Sequence, residues 1–150
     1  MTTSNPALPE PLRPLAALFL KTGVAIGGLS DTQRRLVLAL VWSGLPAMPM
    51  TERAINAALV ERLAGAAAFL GTDHVELRRW LVDAGWLGRD DYGREYRRVE
   101  PHALPGDLQP LAAAFAGLDT DALAATTRAA HAAAREQRRR VWDARQGAAG

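Results

Sequence analysis

The stretch DHVELRRWLVDAGWLGRDDYGREYRRV, Asp73 to Val99, constrains the fold more than any other part of the chain. Asp73 and Glu76 have the spacing of a capping box, and Leu77, Trp80, Leu81 and Ala84 fall on one helical face, which should be core. Gly85 ends that helix. Beyond the glycine the chain reads as a strand, a turn around Asp90 to Gly93, and a return strand in which Tyr96 and Val99 offer apolar contacts. The face turned away from the core centres on Arg79, flanked by Val75 and Val82, with Arg78 toward one edge and Glu76 and Asp83 toward the other.

Upstream, residues 1–14 carry four prolines and no apolar periodicity, so they are expected to form a disordered leader outside the fold. Three glycines in KTGVAIGGLS allow a short strand around Val24 to Ile26. Ser30 and Gln33 then have capping-box spacing before a buried helix over about 31–43. AMPM crosses in extended form, and Thr51 is placed to cap a helix whose apolar positions Ile55, Leu59 and Leu63 recur every four residues. Its other side is polar, with Glu52, Asn56, Glu61 and Arg62. Downstream, a short helix over about 107–117 leads to Asp119 or Thr120, either able to cap a long alanine-rich helix running to about Arg145. On that helix Arg128, His131, Arg135, Arg138, Trp142 and Arg145 share one face, while Ala125, Ala129, Ala132 and Ala133 populate a small apolar side. The chain therefore reads as mainly α with a small β wing. It divides into a winged-helix-like domain over residues 15–100 and a C-terminal helical extension over 101–150.

Composition narrows the setting. At 150 residues and 49% apolar content the chain has enough material for one core of its own. With no cysteine, disulfides and thiolate metal sites are excluded, and a cytoplasmic location is expected. The first arginine is Arg13 and no long apolar run precedes it, so a signal peptide is not expected. LVLALVW at 36–42 falls short of the about 20 residues that a membrane span needs. The formal net charge is only +2, unevenly spread: residues 51–117 hold 8 basic and 10 acidic groups, while 118–150 hold 6 and 4.

Three pieces of the sequence, FLKTGVAIGGLSDTQRRLVLAL at 19–40, MTERAINAAL at 50–59 and DHVELRRWLVDAGWLGRDDYGREYRR at 73–98, resemble a bacterial family known as domain of unknown function 2087. The resemblance covers about residues 15–100. VERLAGAAAFLGT, between the second and third pieces, is longer than the family pattern. The resemblance implies a small winged-helix-like domain, found alone and joined to regulator-type helix-turn-helix domains, with no established activity.

The arginines frame two readings of function. In the first, the helix 73–85 enters the major groove of duplex DNA, Arg78 and Arg79 reach base edges or phosphates, and Arg94, Arg97 and Arg98 of the wing clamp the backbone. Against it, Glu76 at i−3 and Asp83 at i+4 are spaced to neutralise Arg79, and Asp90 and Asp91 set negative charge at the wing tip. The better electrostatic footprint is then Arg135, Arg138, Arg139, Arg140 and Arg145 of the last helix, where few acids are near. In the second reading the chain is a protein-interaction or dimerisation module without nucleic acid, whose alanine side packs on the domain or a twin helix.

An enzyme is not expected. His74, His102 and His131 lie in separate segments with no ligand or triad spacing, Lys21 is the only lysine, and GVAIGG lacks the lysine of a phosphate-cradling loop. No cofactor, catalytic or metal site is therefore assigned. Trp42, Trp80 and Trp86 sit in core-like contexts, whereas Trp142, among arginines, is placed to stack on Arg138 or Arg145 or to bury in a dimer partner. The expected function is a nucleic-acid-binding, transcription-regulator-like protein. Its expected partners are duplex DNA, a second copy through the C-terminal helix, or another protein, and no membrane.

Overall fold

Three side-chain caps start three helices where the sequence places them. The computed structural model describes residues 8–149. Ser30 Oγ accepts from the Gln33 amide at 3.1 Å while Gln33 Oε1 accepts from the Ser30 amide at 3.1 Å, which opens α2, Asp31–Ser43. Thr51 Oγ1 accepts from the Ala54 amide at 3.1 Å and opens α3, Glu52–Ala64. Asp73 Oδ1 accepts from the Glu76 amide at 2.8 Å and opens α4, His74–Asp83. Each bond satisfies an amide that a helix start otherwise leaves unpaired.

Helix α2 is buried on every side from Leu36 to Trp42 and is the axis of the core. Around it lie α3, α4 and a three-stranded antiparallel sheet in the order β1-β3-β2, from β1, Met50–Thr51, β2, Leu87–Arg89, and β3, Glu95–Arg98. Met50 pairs with Tyr96, and Arg89 pairs with the same Tyr96 from the other side. Trp42 ties helix to sheet: its Nε1 donates to the Val99 carbonyl at 3.0 Å, and its ring lies 5.4 Å from that of Trp86.

Helix α4 ends in a Schellman motif. The Trp86 amide donates to the Leu81 carbonyl at 3.0 Å and the Gly85 amide to that of Val82 at 3.2 Å, with Gly85 at φ +90°. This reversal aims the chain into β2. A Cβ at Gly85 would also sit 3.3 Å from Pro105 Cγ. Gly85→Ala is expected to cost about 1–2 kcal/mol and to lower the thermal midpoint by a few degrees. An unchanged midpoint would contradict the strain assigned to this position.

Four expectations need correction. Residues 1–7 of the expected leader lie outside the described residues, but residues 8–14 do not lie outside the fold. Pro9 and Pro14 flank a single 3-10 turn, Glu10–Leu12, that drives Leu12 to 0% exposure, and α1, Pro14–Leu18, comes directly after it. The proline-rich composition hides one apolar anchor. Around Val24 there is no strand, only a single parallel bridge to Leu70 and then a 3-10 turn, Ile26–Gly28, because glycines on either side interrupt the extended run. Third, Arg62 is not part of a solvated face: it is buried, and its Nη2 donates to the Leu40 carbonyl at 2.6 Å and to Thr120 Oγ1 at 2.9 Å.

The fourth concerns the last helices, α5, Gln109–Ala114, and α6, Thr120–Ala149. Asp119 caps α6, its Oδ1 accepting from the Ala122 amide at 3.0 Å. The alanine side does not face the domain; Ala125 and Ala129 are exposed. The root docks instead through Ala124, Thr127 and Arg128, on the side expected to be basic and solvated. Arg128 turns inward because two backbone carbonyls await it, Phe19 O at 3.0 Å and Gly65 O at 3.4 Å. Asp121 completes the root, accepting from the Ala66 amide at 2.8 Å and lying 3.4 Å from Arg62. From Ala129 to Ala148 every residue of α6 is exposed.

Candidate nucleic-acid interface

The order α2, β1, α3, α4, β2, β3 with the sheet order β1-β3-β2 is the winged-helix arrangement, and it sets α4 beside the β2–β3 hairpin. Residues 65–73 join α3 to α4, longer than the about three to four residues of a helix-turn-helix turn. They bury Ala66, Ala67, Phe69 and Leu70, so this connection is packed.

Between the outer face of α4 and the inner face of the hairpin runs an open groove of about 370 Å³. Val75, Arg78, Arg79 and Asp83 line it from the helix, Arg89 and Tyr96 from the strands. Alternation along the strands decides which arginines it receives. Tyr96 and Arg98 share the inner face of β3, while Glu95 and Arg97 point out. Arg89, paired with Tyr96, is brought to the inner face beside α4.

The predicted site residues therefore separate. Arg78 is largely committed within the protein: its Nη1 donates to Asn56 Oδ1 at 2.7 Å, lies 3.4 Å from Glu52, and its guanidinium covers the Tyr96 ring at 5.2 Å. Arg79 is exposed, and among the described residues the expected ion pairs with Glu76 and Asp83 do not form. Arg94 stands at the wing tip over the ring of Tyr92 at 5.7 Å, and Arg97 pairs with Glu95 at 3.5 Å on the outer face. Arg98 is not a wing clamp. Its guanidinium lies 4.1 Å from the Trp42 ring centre and donates to the Leu45 carbonyl at 3.2 Å. Burial pushes its pKa below the usual arginine value, against the pull of Glu100.

Asp90 is a builder of the wing. Its Oδ1 accepts from the amides of Arg94 at 2.7 Å and Glu95 at 3.2 Å, while Gly93 takes the positive φ of +65° that the turn needs. Desolvation pushes its carboxyl up, but the Glu95, Arg94 and Gly93 amides and the Arg94 charge outweigh it and hold the pKa below the usual aspartate value.

Arg89 is a groove residue that sequence reasoning does not single out. A signal existed: in WLGR, Leu87 and Arg89 are two apart, so a strand that buries Leu87 turns Arg89 to the same face.

The arginines of α6 are rooted elsewhere. Arg78 meets α3 at Glu52 and Asn56, its first turns, whereas α6 docks at Arg62, Gly65 and Ala66, the far end. Along α3 the centres of the two sets of contacts are about 15 Å apart. Arg139 and Arg140 share Glu136, at 3.8 Å and 3.4 Å, and Arg135 lies beside it. Arg138 and Arg145 flank Trp142, which is 61% exposed, and among the described residues no arginine is stacked on its ring. Among the described residues no group of three or more histidine, aspartate and glutamate side chains is placed to hold a metal ion, and no helix is long and apolar enough to cross a membrane.

Residues 29–98 match a family model described as "Uncharacterized protein conserved in bacteria (DUF2087)". Over that span the chain resembles DUF2087. The DUF2087 match opens just before the α2 cap and closes on β3, so it takes in α2 to β3 and the whole groove. It begins later than the sequence pieces suggested, leaving out residues 15–28 together with the buried Leu12. Helices α5 and α6 also lie outside it. No curated protein and no solved structure matches the chain.

Proposed function

We propose that this protein binds duplex nucleic acid through the groove between α4 and the wing, in the manner of a transcription regulator, as a binding module rather than an enzyme. One observation carries the reading: Arg79 and Arg89, both exposed, converge on a groove between the two elements that a winged helix presents to DNA. Arg79 and Arg89 engage phosphates, with Arg94 at the wing tip positioning the strand, while Arg97 faces away from the groove and is paired with Glu95. Val75, exposed on the groove lip, is placed to meet the methyl of a thymine. Arg78 is largely spoken for by Glu52 and Asn56, and Asp83 opposes the remaining pair, so the affinity is modest and salt-sensitive.

The test is fluorescence anisotropy of a random-sequence duplex titrated with the full chain over a salt series. The comparison is between Arg79→Ala/Arg89→Ala and Arg138→Ala/Arg139→Ala/Arg140→Ala. Each phosphate contact contributes about 0.9 to the log-log salt slope, so the groove variant should flatten it by about 1.8 and the α6 variant should leave it unchanged. No binding at low salt, or flattening in the α6 variant alone, would refute this placement. One observation favours a second reading, contact with another protein: beyond Arg128, α6 is exposed on all sides.

A further inference from the structure

The exposed length of α6 has internal order that its composition hides. From Leu123 and Thr127 at the docked root, steps of three and four residues lead through Ala130, Ala134, Gln137 and Val141 and on to Ala144. None of these positions is charged, although residues 129–148 contain Arg135, Glu136, Arg138, Arg139, Arg140, Asp143 and Arg145. Alternating steps of three and four are the seam of a coiled coil. The seam is continuous with packing already made, since Leu123 packs against the core and Thr127 is buried, and it stays uncovered from Ala130 onward, where Val141 is 42% exposed.

The edges of the seam indicate the partner. One edge carries His131, Arg138 and Arg145 and the other Ala133 and Arg140, with no acidic residue on either; Glu136 and Asp143 lie on the back of the helix, from which Glu136 reaches Arg140 at 3.4 Å in an exposed pair. Edge charges set partner choice in coiled coils. A second copy in parallel register would set Arg140 against Arg145, and an antiparallel copy would set each basic edge against its like. Alanine at most of the seam leaves volume that large side chains must fill at ordinary helix spacing.

We propose that residues 129–148 of α6 are a docking face for a helix of another protein, one with leucine-like residues along its seam and carboxylates along both edges. The inference is independent of nucleic-acid binding by the groove, because α6 is rooted at the other end of α3.

The full chain is titrated into two labelled four-heptad peptides, each with Leu along its seam and with either Glu or Lys at both edges. The Glu-edged peptide should bind about tenfold or more tightly than the Lys-edged one, with the preference shrinking at high salt. Ala134→Glu and Val141→Glu, exposed positions away from the core, should each abolish this binding while leaving the urea midpoint unchanged. Equal binding of both peptides, or none of the Glu-edged one, overturns the proposal. It is also overturned if sedimentation shows a wild-type dimer that Val141→Glu dissociates, which makes a second copy the occupant. Loss of duplex DNA binding in the same variants would overturn it in favour of nucleic acid on this face.

Discussion

Replacing Arg62 by alanine will lower the unfolding free energy by about 2–4 kcal/mol, the sum of lost charge-assisted hydrogen bonds and a cavity the size of a long side chain. Arg62 joins three elements at once, through the Leu40 carbonyl of α2, Thr120 Oγ1 and Asp121 of α6, and its own place on α3. Desolvation pulls its pKa down and Asp121, Glu61 and Asp119 push it back, as expected of a cation taken out of water against carboxylate partners. The surroundings close tightly on the guanidinium, whose Nε is buried and, among the described residues, without a hydrogen-bond partner: a Cβ on Gly44 would overlap it and one on Gly65 would stand 2.5 Å from Asp121 Oδ1. Arg62→Lys should recover little, because one ammonium cannot reproduce a planar fork with several acceptors. Urea unfolding measures the loss, and hydrogen exchange at Ala122 to Arg128 locates it. A cost below about 1 kcal/mol would mean that α6 is held by its other contacts, those of Asp121, Ala124 and Arg128.

Replacing Trp42 by alanine is the second large effect, expected at about 3–5 kcal/mol for a buried tryptophan. The ring is packed by Trp86 on one side and Arg98 on another, and its indole nitrogen holds the Val99 carbonyl just past β3. Its loss should free Arg98 as well as opening a cavity, so the end of β3 should exchange faster with solvent than α4 does. Trp42→Phe keeps most of the volume and loses the hydrogen bond, and is expected to cost about 1 kcal/mol from that bond. If Trp42→Ala unfolds with a midpoint near wild type, the indole does not connect helix to wing.

These two residues show what a sequence reveals and what it conceals. The starts of α2, α3 and α4 are legible because Ser30, Thr51 and Asp73 each act on an amide three residues away. The end of α4 is legible for the same reason at Gly85. Arg62 reads as surface because the groups that bury it are 22, 58 and 59 residues distant, and no local pattern marks them. Arg128 is a similar case, with acceptors 109 and 63 residues away. At the candidate site, helical periodicity finds Arg79, while its expected carboxylate partners rest on spacing alone and are not engaged. Arg98 is misplaced by sequence because the apolar positions Tyr96 and Val99 are three apart and imply opposite strand faces, and the ring that receives Arg98, Trp42, is distant in sequence.

The exposed part of α6 is also a lever. Twenty helical residues at about 1.5 Å each make an arm of about 30 Å. It is hinged on the few contacts of Thr120, Asp121, Ala124, Thr127 and Arg128. A tilt of about 10° at that root moves the tip by about 5 Å, so a change of a few tenths of an ångström in how Asp121 sits on Arg62 is magnified at the far end. Whatever takes hold of the arm near Trp142 pulls, by the same geometry, on the buried guanidinium between α2 and α3.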